Sequence, residues 1–208
     1  ATLLSAATGA AQVMTLLLAP AILRRYEAQD FGVASLMIGL AGSLGQLSCF
    51  KYDVALMTCP QGRAERPLLA ASGIAVGGSA LLLWVILRSL GTSLLHSLLT
   101  MGTVISAGAY TLGSALCLRR LDPALLSRAV ILKATVQLAA QLFLSGWRDP
   151  VAGLLAASLL SGVSANLALF PAFRLPKGGR WGELRIAAAA YREYPLILLP
   201  GTAAFQTA

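Results

Sequence analysis

The sequence predicts an all-α fold, a polytopic membrane bundle of six helices followed by the start of a seventh. Three observations carry that prediction. Of the 208 residues, 57% are hydrophobic and only 12% charged, with a mean hydropathy of +0.76, whereas soluble domains carry roughly 25% charged residues. The charges are also bunched, leaving 1–23, 31–50, 67–87, 89–118 and 150–173 free of Asp, Glu, Lys and Arg. Each run approaches or exceeds the ~20 residues that a helix needs to cross hydrocarbon. The runs are unbroken rather than alternating, which argues against a strand barrel, and helices satisfy every backbone group internally, as lipid requires.

Span 1 (1–23) is not a signal peptide, because no basic region precedes it and it exceeds the usual apolar core of about 7–15 residues. It ends near Pro20, before the charged block RRYEAQDFG at 24–32. There Asp30 is placed to cap span 2, and Arg24 to pair with Glu27 or Asp30 across the turn. Span 2 (31–50) runs into CFKYDVALMTCP, residues 49–60, which puts Lys51 and Asp53 in its last turns with apolar residues still following. Charges at such depth face a cavity or a partner. Residues two apart on a helix point in nearly opposite directions, so Lys51 and Asp53 each need a partner elsewhere. Lys51 has two outlets: a cavity, or the headgroups reached along its alkyl stem.

Span 3 (67–87) contains Gly73 and Gly77 at the spacing that lets another helix approach closely. Span 4 covers 89–118. Span 5, Leu125 to Gly146, is interrupted by Arg128 and Lys133. Lys133 sits two turns inside that span, with Gln137 and Gln141 following at spacings of four on one helical face. The stripe belongs in the bundle interior, either for interhelical hydrogen bonds or as the polar wall of a transport cavity. Gln12 in span 1 and Asn166 in span 6 (150–173) extend the same logic. Residues 1–173 therefore form the N-terminal six-helix lobe. Residues 174–193 read as a cytoplasmic amphipathic linker, with Trp181, Leu184, Ile186 and Tyr191 interspersed among Glu183, Arg185 and Arg192. Residues 194–208 start a seventh helix that stops within an apolar run, so the chain reads as part of a longer protein.

Threading follows from the basic residues, which concentrate in short cytoplasmic loops. The connections after spans 1, 3 and 5 hold Arg24, Arg25, Arg88 and Arg148, and those after spans 2, 4 and 6 hold the other twelve of sixteen. The N-terminus is therefore expected in the cytoplasm, with the net charge of +8 mostly on that face. Such a face reflects topology and anionic membrane lipids rather than nucleic acid. Trp84 and Trp147 fall where spans 3 and 5 reach the outer headgroups, a depth that suits the amphipathic indole. Cys49, Cys59 and Cys117 are odd in number and lack metal-like spacing, so no disulfide is expected. His96 is the sole histidine, which leaves a zinc site or a catalytic triad without a ligand set. The eight acids are dispersed over both faces with no catalytic pair, so no enzyme, metal or cofactor is expected.

RRYEAQDFG resembles the R-x-Y-x-P-E-D-F-G signature after the first helix of bacterial polysaccharide-export flippases, members of the multidrug/oligosaccharidyl-lipid/polysaccharide exporter superfamily. Arg24, Tyr26, Asp30, Phe31 and Gly32 match, whereas Ala28 and Gln29 depart from it. Lys51-Tyr52-Asp53-Val54-Ala55-Leu56 before Pro60 is similar to that family's R-Y-E-x-A-I before a proline, with one extra residue. Tyr191-Arg192-Glu193-Tyr194-Pro195, with Pro200 after it, resembles its Y-x-D-F-P-x4-P at the start of helix seven. The resemblance implies two six-helix lobes around a central cavity in the bacterial cytoplasmic membrane. It implies a carrier that moves undecaprenyl-diphosphate-linked oligosaccharide from the inner to the outer leaflet by alternating access, for O-antigen, capsule or exopolysaccharide. Partners would be that lipid-linked oligosaccharide, membrane lipids and other polysaccharide-assembly membrane proteins. Lys51, Lys133 and Arg24 would serve as cations for the diphosphate, with Gln12, Gln137, Gln141 and Asn166 for sugar hydroxyls and Asp53 beside them. The main alternative is a cation-coupled multidrug exporter of the same superfamily, which typically carries a carboxylate in its first helix; residues 1–23 have none. A membrane-embedded glycan-modifying enzyme is a further one.

Overall fold

The computed structural model describes residues 2–58 and 65–173. Cys59, Pro60, the linker at 174–193 and the third motif lie outside the described residues. Seven α-helices run α1 Thr2–Leu23, α2 Ala28–Leu47, α3 Tyr52–Thr58, α4 Glu65–Ser89, α5 Leu94–Arg119, α6 Pro123–Phe143 and α7 Pro150–Leu169. Short 3₁₀ turns at Leu144–Gly146 and Phe170–Phe173 extend the last two. Among the described residues six helices are long and apolar enough to cross a membrane, all but the short α3. The chain is thus an all-α multi-pass bundle, as the sequence predicts.

Helix boundaries follow local chemistry that charge-free runs alone do not reveal. Asp122 and Asp149 are N-caps, accepting from the Leu125 and Ala152 amides at 3.0 and 3.1 Å. Each is followed by a proline in the first helical turn, where no backbone donor is needed. The α4–α5 turn closes as a Schellman motif, in which Thr92 N donates to Leu87 O and Gly91, at φ +79°, to Arg88 O. Span 4 therefore begins at Leu94, with Ser93 capping it, rather than at residue 89.

Two corrections concern α2. Its N-cap is Glu27, without a side-chain cap bond, so Asp30 lies in the first turn and is not the cap. Its end is Leu47, three residues before the predicted end of span 2. Phe50 and Lys51 then adopt left-handed backbone angles, φ 48° and 58°, which cost an L-residue roughly 1–2 kcal/mol each. Lys51 therefore sits in a break and Asp53 in the first turn of α3, not in the last turns of a continuous span.

Helices α5 and α7 form the spine. Helix α7 packs on α5, α6 and α2, while α4 packs on α5 and α1 on α6. In lipid, helix association rests on close packing and hydrogen bonds rather than on a hydrophobic force, and glycines provide the closeness here. A Cβ on Gly45 would sit 2.5 Å from that of Ala107, and one on Gly108 2.7 Å from Val76. Gly73 and Gly77 have nothing within 4 Å, so the GxxxG spacing packs no helix among the described residues. One apolar cluster, around Ile22, Ala34, Met37, Leu83 and Leu154, fills the end bearing the α1–α2, α4–α5 and α6–α7 turns, here the Trp147 end. A second, around Leu56, Leu68, Leu116, Leu126 and Leu169, fills the opposite, Arg119 end.

Candidate functional site: a lysine-bearing cavity

Helix α1 packs along α6, whereas α2 packs on α5 and α7, so two consecutive helices diverge and leave a gap between them. That gap is a cavity of about 800 Å³. Its α1 and α2 walls are chiefly apolar, with Ala11, Ala19, Ile22, Phe31 and Ile38 relieved by Thr15 and Ser35. The α6 wall sets polar side chains among Val130, Ala134 and Leu138. Lys133, Gln137 and Gln141 all line the cavity, because residues four apart stack on one helical face. Over eight residues at 1.5 Å each the stripe is about 12 Å long. Lys133 comes ten residues after Pro123, closer to the middle of the helix than the two turns expected. Its Nζ lies 4.7 Å from the centroid of the Tyr110 ring, contributed by α5. No Asp or Glu is in the lining, so Lys133 is its one charged group among the described residues.

The other predicted residues are not brought to this cavity. Gln12 is exposed, although its neighbour Ala11 lines the gap. Arg24 is exposed and forms no ion pair with Glu27 or Asp30. Asn166 lies between α7 and α5, donating to the Ser106 carbonyl and hydroxyl at 3.0 and 3.1 Å; it borders a smaller, mostly apolar pocket. Lys51 and Asp53 stand at the α2–α3 break, with one Asp53 carboxylate oxygen buried and unpartnered among the described residues. Beside them burial, aided by Asp53, pushes the Cys49 thiol up to about 12, so it is inert as a nucleophile. Cys49 and Cys117 are free and buried.

The charged block at the first turn has a structural role that its spelling does not disclose. Tyr26 donates its hydroxyl to Gln141 O at 2.6 Å, and Arg25 donates to Leu142 O and Ser145 Oγ at 3.2 Å. Terminal carbonyls of a helix have no partner within it, so the turn caps α6 from outside, beside the Gln141 end of the cavity's polar stripe. Burial raises the Tyr26 phenol above its usual value, more than Arg25 lowers it, which keeps it a donor at neutral pH.

Two side-chain pairs, one hydrogen-bonded and one ionic, escaped the sequence reading. His96 Nε2 lies 2.7 Å from Asp149 Oδ2, joining the first turns of α5 and α7. Burial alone would raise the Asp149 carboxyl, but the Ala152 amide and the His96 ring outweigh it and hold the group below the ordinary carboxylate value. Arg119 pairs with Glu65 at 3.0 Å and also donates to Leu56 O, joining α5, α4 and α3. The Asp-Pro pairs at 122–123 and 149–150 are the sequence signal that could have placed these turns. The Trp84 indole N–H is buried and unpartnered among the described residues. Trp147 is about half exposed at its turn. Compared with family models, curated proteins and solved structures, the chain matches none.

Proposed function

We propose that this chain forms one lobe of a carrier that moves a lipid-linked oligosaccharide, joined through a diphosphate, across the bacterial cytoplasmic membrane. Its N-terminus and the Arg119 end face the cytoplasm in this reading, following the twelve basic residues expected there. The observation that carries the proposal is the α6 stripe: one cation and two amides facing a single cavity, with no carboxylate among its described lining residues. A diphosphate and its sugars cannot enter hydrocarbon without replacement of their hydration. Lys133 offers charge to the diphosphate, Gln137 and Gln141 offer hydrogen bonds to hydroxyls, and the apolar α1 and α2 walls suit a prenyl chain. The three motif resemblances point to the same activity. Alternating access would follow from rocking of this lobe against a second one.

The test is Lys133→Gln in cells that depend on the protein for surface polysaccharide. Export should fall at least tenfold while the variant still inserts in the membrane at normal abundance. Undiminished export would overturn the assignment. Lys51→Gln, outside the cavity, serves as the contrast: loss of export there would bring the α2–α3 break into the pathway.

A further inference from the structure

We infer that Tyr110 is the positioning residue for the Lys133 cation, holding the ammonium in the cavity without neutralising it. The inference rests on the reading of the cavity as a site for a diphosphate-bearing amphiphile and assigns a role to a residue from a different helix. The observation is geometric. Lys133 Nζ stands 4.7 Å from the Tyr110 ring centroid, inside the ~6 Å within which a ring face attracts a cation. Both residues line the cavity, and Tyr110 is seated against the apolar cluster at the Arg119 end. That seat fixes the ring, and the ring fixes the end of a long, flexible stem.

The choice of an aromatic holder has a consequence for binding. A carboxylate in the same place would attract the lysine more strongly, cancel its charge and compete with any arriving anion. The ring carries no formal charge to cancel that of the ammonium, which has three N–H donors, not all of which a single ring on one side can engage. The counter-ion of Lys133 is then the ligand itself. Without the ring the stem is free to carry its charge out of the cavity toward headgroups, and each binding event would first have to order it.

The experiment uses the intact protein in phosphatidylcholine nanodiscs, titrated with geranyl diphosphate and followed by calorimetry. Tyr110→Phe, which keeps the ring face, should bind within twofold of the parent. Tyr110→Leu should bind about fivefold to tenfold more weakly, and Tyr110→Glu should show no binding. In the Lys133→Gln background, itself at least tenfold weaker, Tyr110→Leu should change nothing further, because the ring then has no cation to hold. An equal loss from Tyr110→Leu in both backgrounds would reduce Tyr110 to packing and overturn the inference. So would parent-like binding by Tyr110→Leu or Tyr110→Glu when Lys133→Gln binds poorly. Parent-like binding by Lys133→Gln would instead overturn the reading of the cavity itself.

Discussion

The two ends of the bundle are fastened by opposite means. At the Arg119 end the ion pair between Arg119 and Glu65 is dry, its side chains 8% and 11% exposed, and one guanidinium also takes the Leu56 carbonyl. At the Trp147 end the pair between His96 and Asp149 is wet, 20% and 45% exposed, and the turn adds two hydrogen bonds from Arg25 and one from Tyr26, all to neutral acceptors. A buried pair is strongly destabilising to break, whereas an exposed one contributes little. The difference teaches which end can loosen. Motion in proteins is drawn from the parts with the least local stability, and here those parts surround the Trp147 end of the cavity, while α3, α4 and α5 are pinned as a unit at the other.

The largest effect expected is therefore at the dry end. Glu65→Ala should break the buried pair at Arg119 and destabilise the protein by about 3–5 kcal/mol, read as thermal unfolding in detergent. The pair Glu65→Ala with Arg119→Met should regain much of the loss, because the buried guanidinium that Glu65 served is replaced by an apolar side chain of similar length. A single-variant loss below about 1 kcal/mol would show that water reaches the pair, and the contrast between the ends would collapse.

How much of this was legible in the sequence differs between helices and the sites between them. Five of the six spans were visible because lipid demands apolar residues along a run and charge-free stretches record that directly, and the sixth was read across Arg128 and Lys133. The α6 stripe was legible for a related reason: Lys133, Gln137 and Gln141 lie on one helix, so their spacing alone puts them on one face. What escaped involves two chain segments far apart. Tyr110 under Lys133, Tyr26 on the α6 terminus and His96 on Asp149 each depend on which helices become neighbours, and no single-helix periodicity encodes that. The α2–α3 break escaped because Ser48, Cys49 and Phe50 continue the charge-free run beyond the end of α2; the left-handed angles at Phe50 and Lys51 carry no glycine to announce them.

At the wet end the effect should be smaller and should depend on acid. Asp149→Ala removes an N-cap and the His96 partner together, and the cap alone contributes about 0.5–2 kcal/mol. Because the folded Asp149 carboxyl is held below its ordinary value, its contribution is complete above the unfolded carboxylate pKa of about 3.9. That contribution is lost as pH falls through the lower folded value. Unfolding of the parent and of Asp149→Ala should therefore converge in strong acid and stay separated near neutrality. A separation that persists unchanged in strong acid would mean that the carboxylate form is not what stabilises this end.

The smallest change sharpens the comparison most. Tyr26→Phe deletes one hydroxyl and leaves Gln141 O without its donor from the turn, at a cost of about 1 kcal/mol. The packing of the ring against the cluster around Ile22 and Leu138 is retained. If the α1–α2 turn is the fastening of the cavity's Trp147 end, that small loss should appear mainly as opening. A cysteine placed at Gln141, whose side chain lines the cavity, should react with a water-soluble maleimide about fivefold faster in the Tyr26→Phe variant than in the parent, where the carbonyl is tied. The same probe at Ala134, deeper along α6, should change less. Equal acceleration at both depths would instead indicate that the whole α6 wall has loosened, and the turn would then be a fastening of α6 rather than of one end of the cavity.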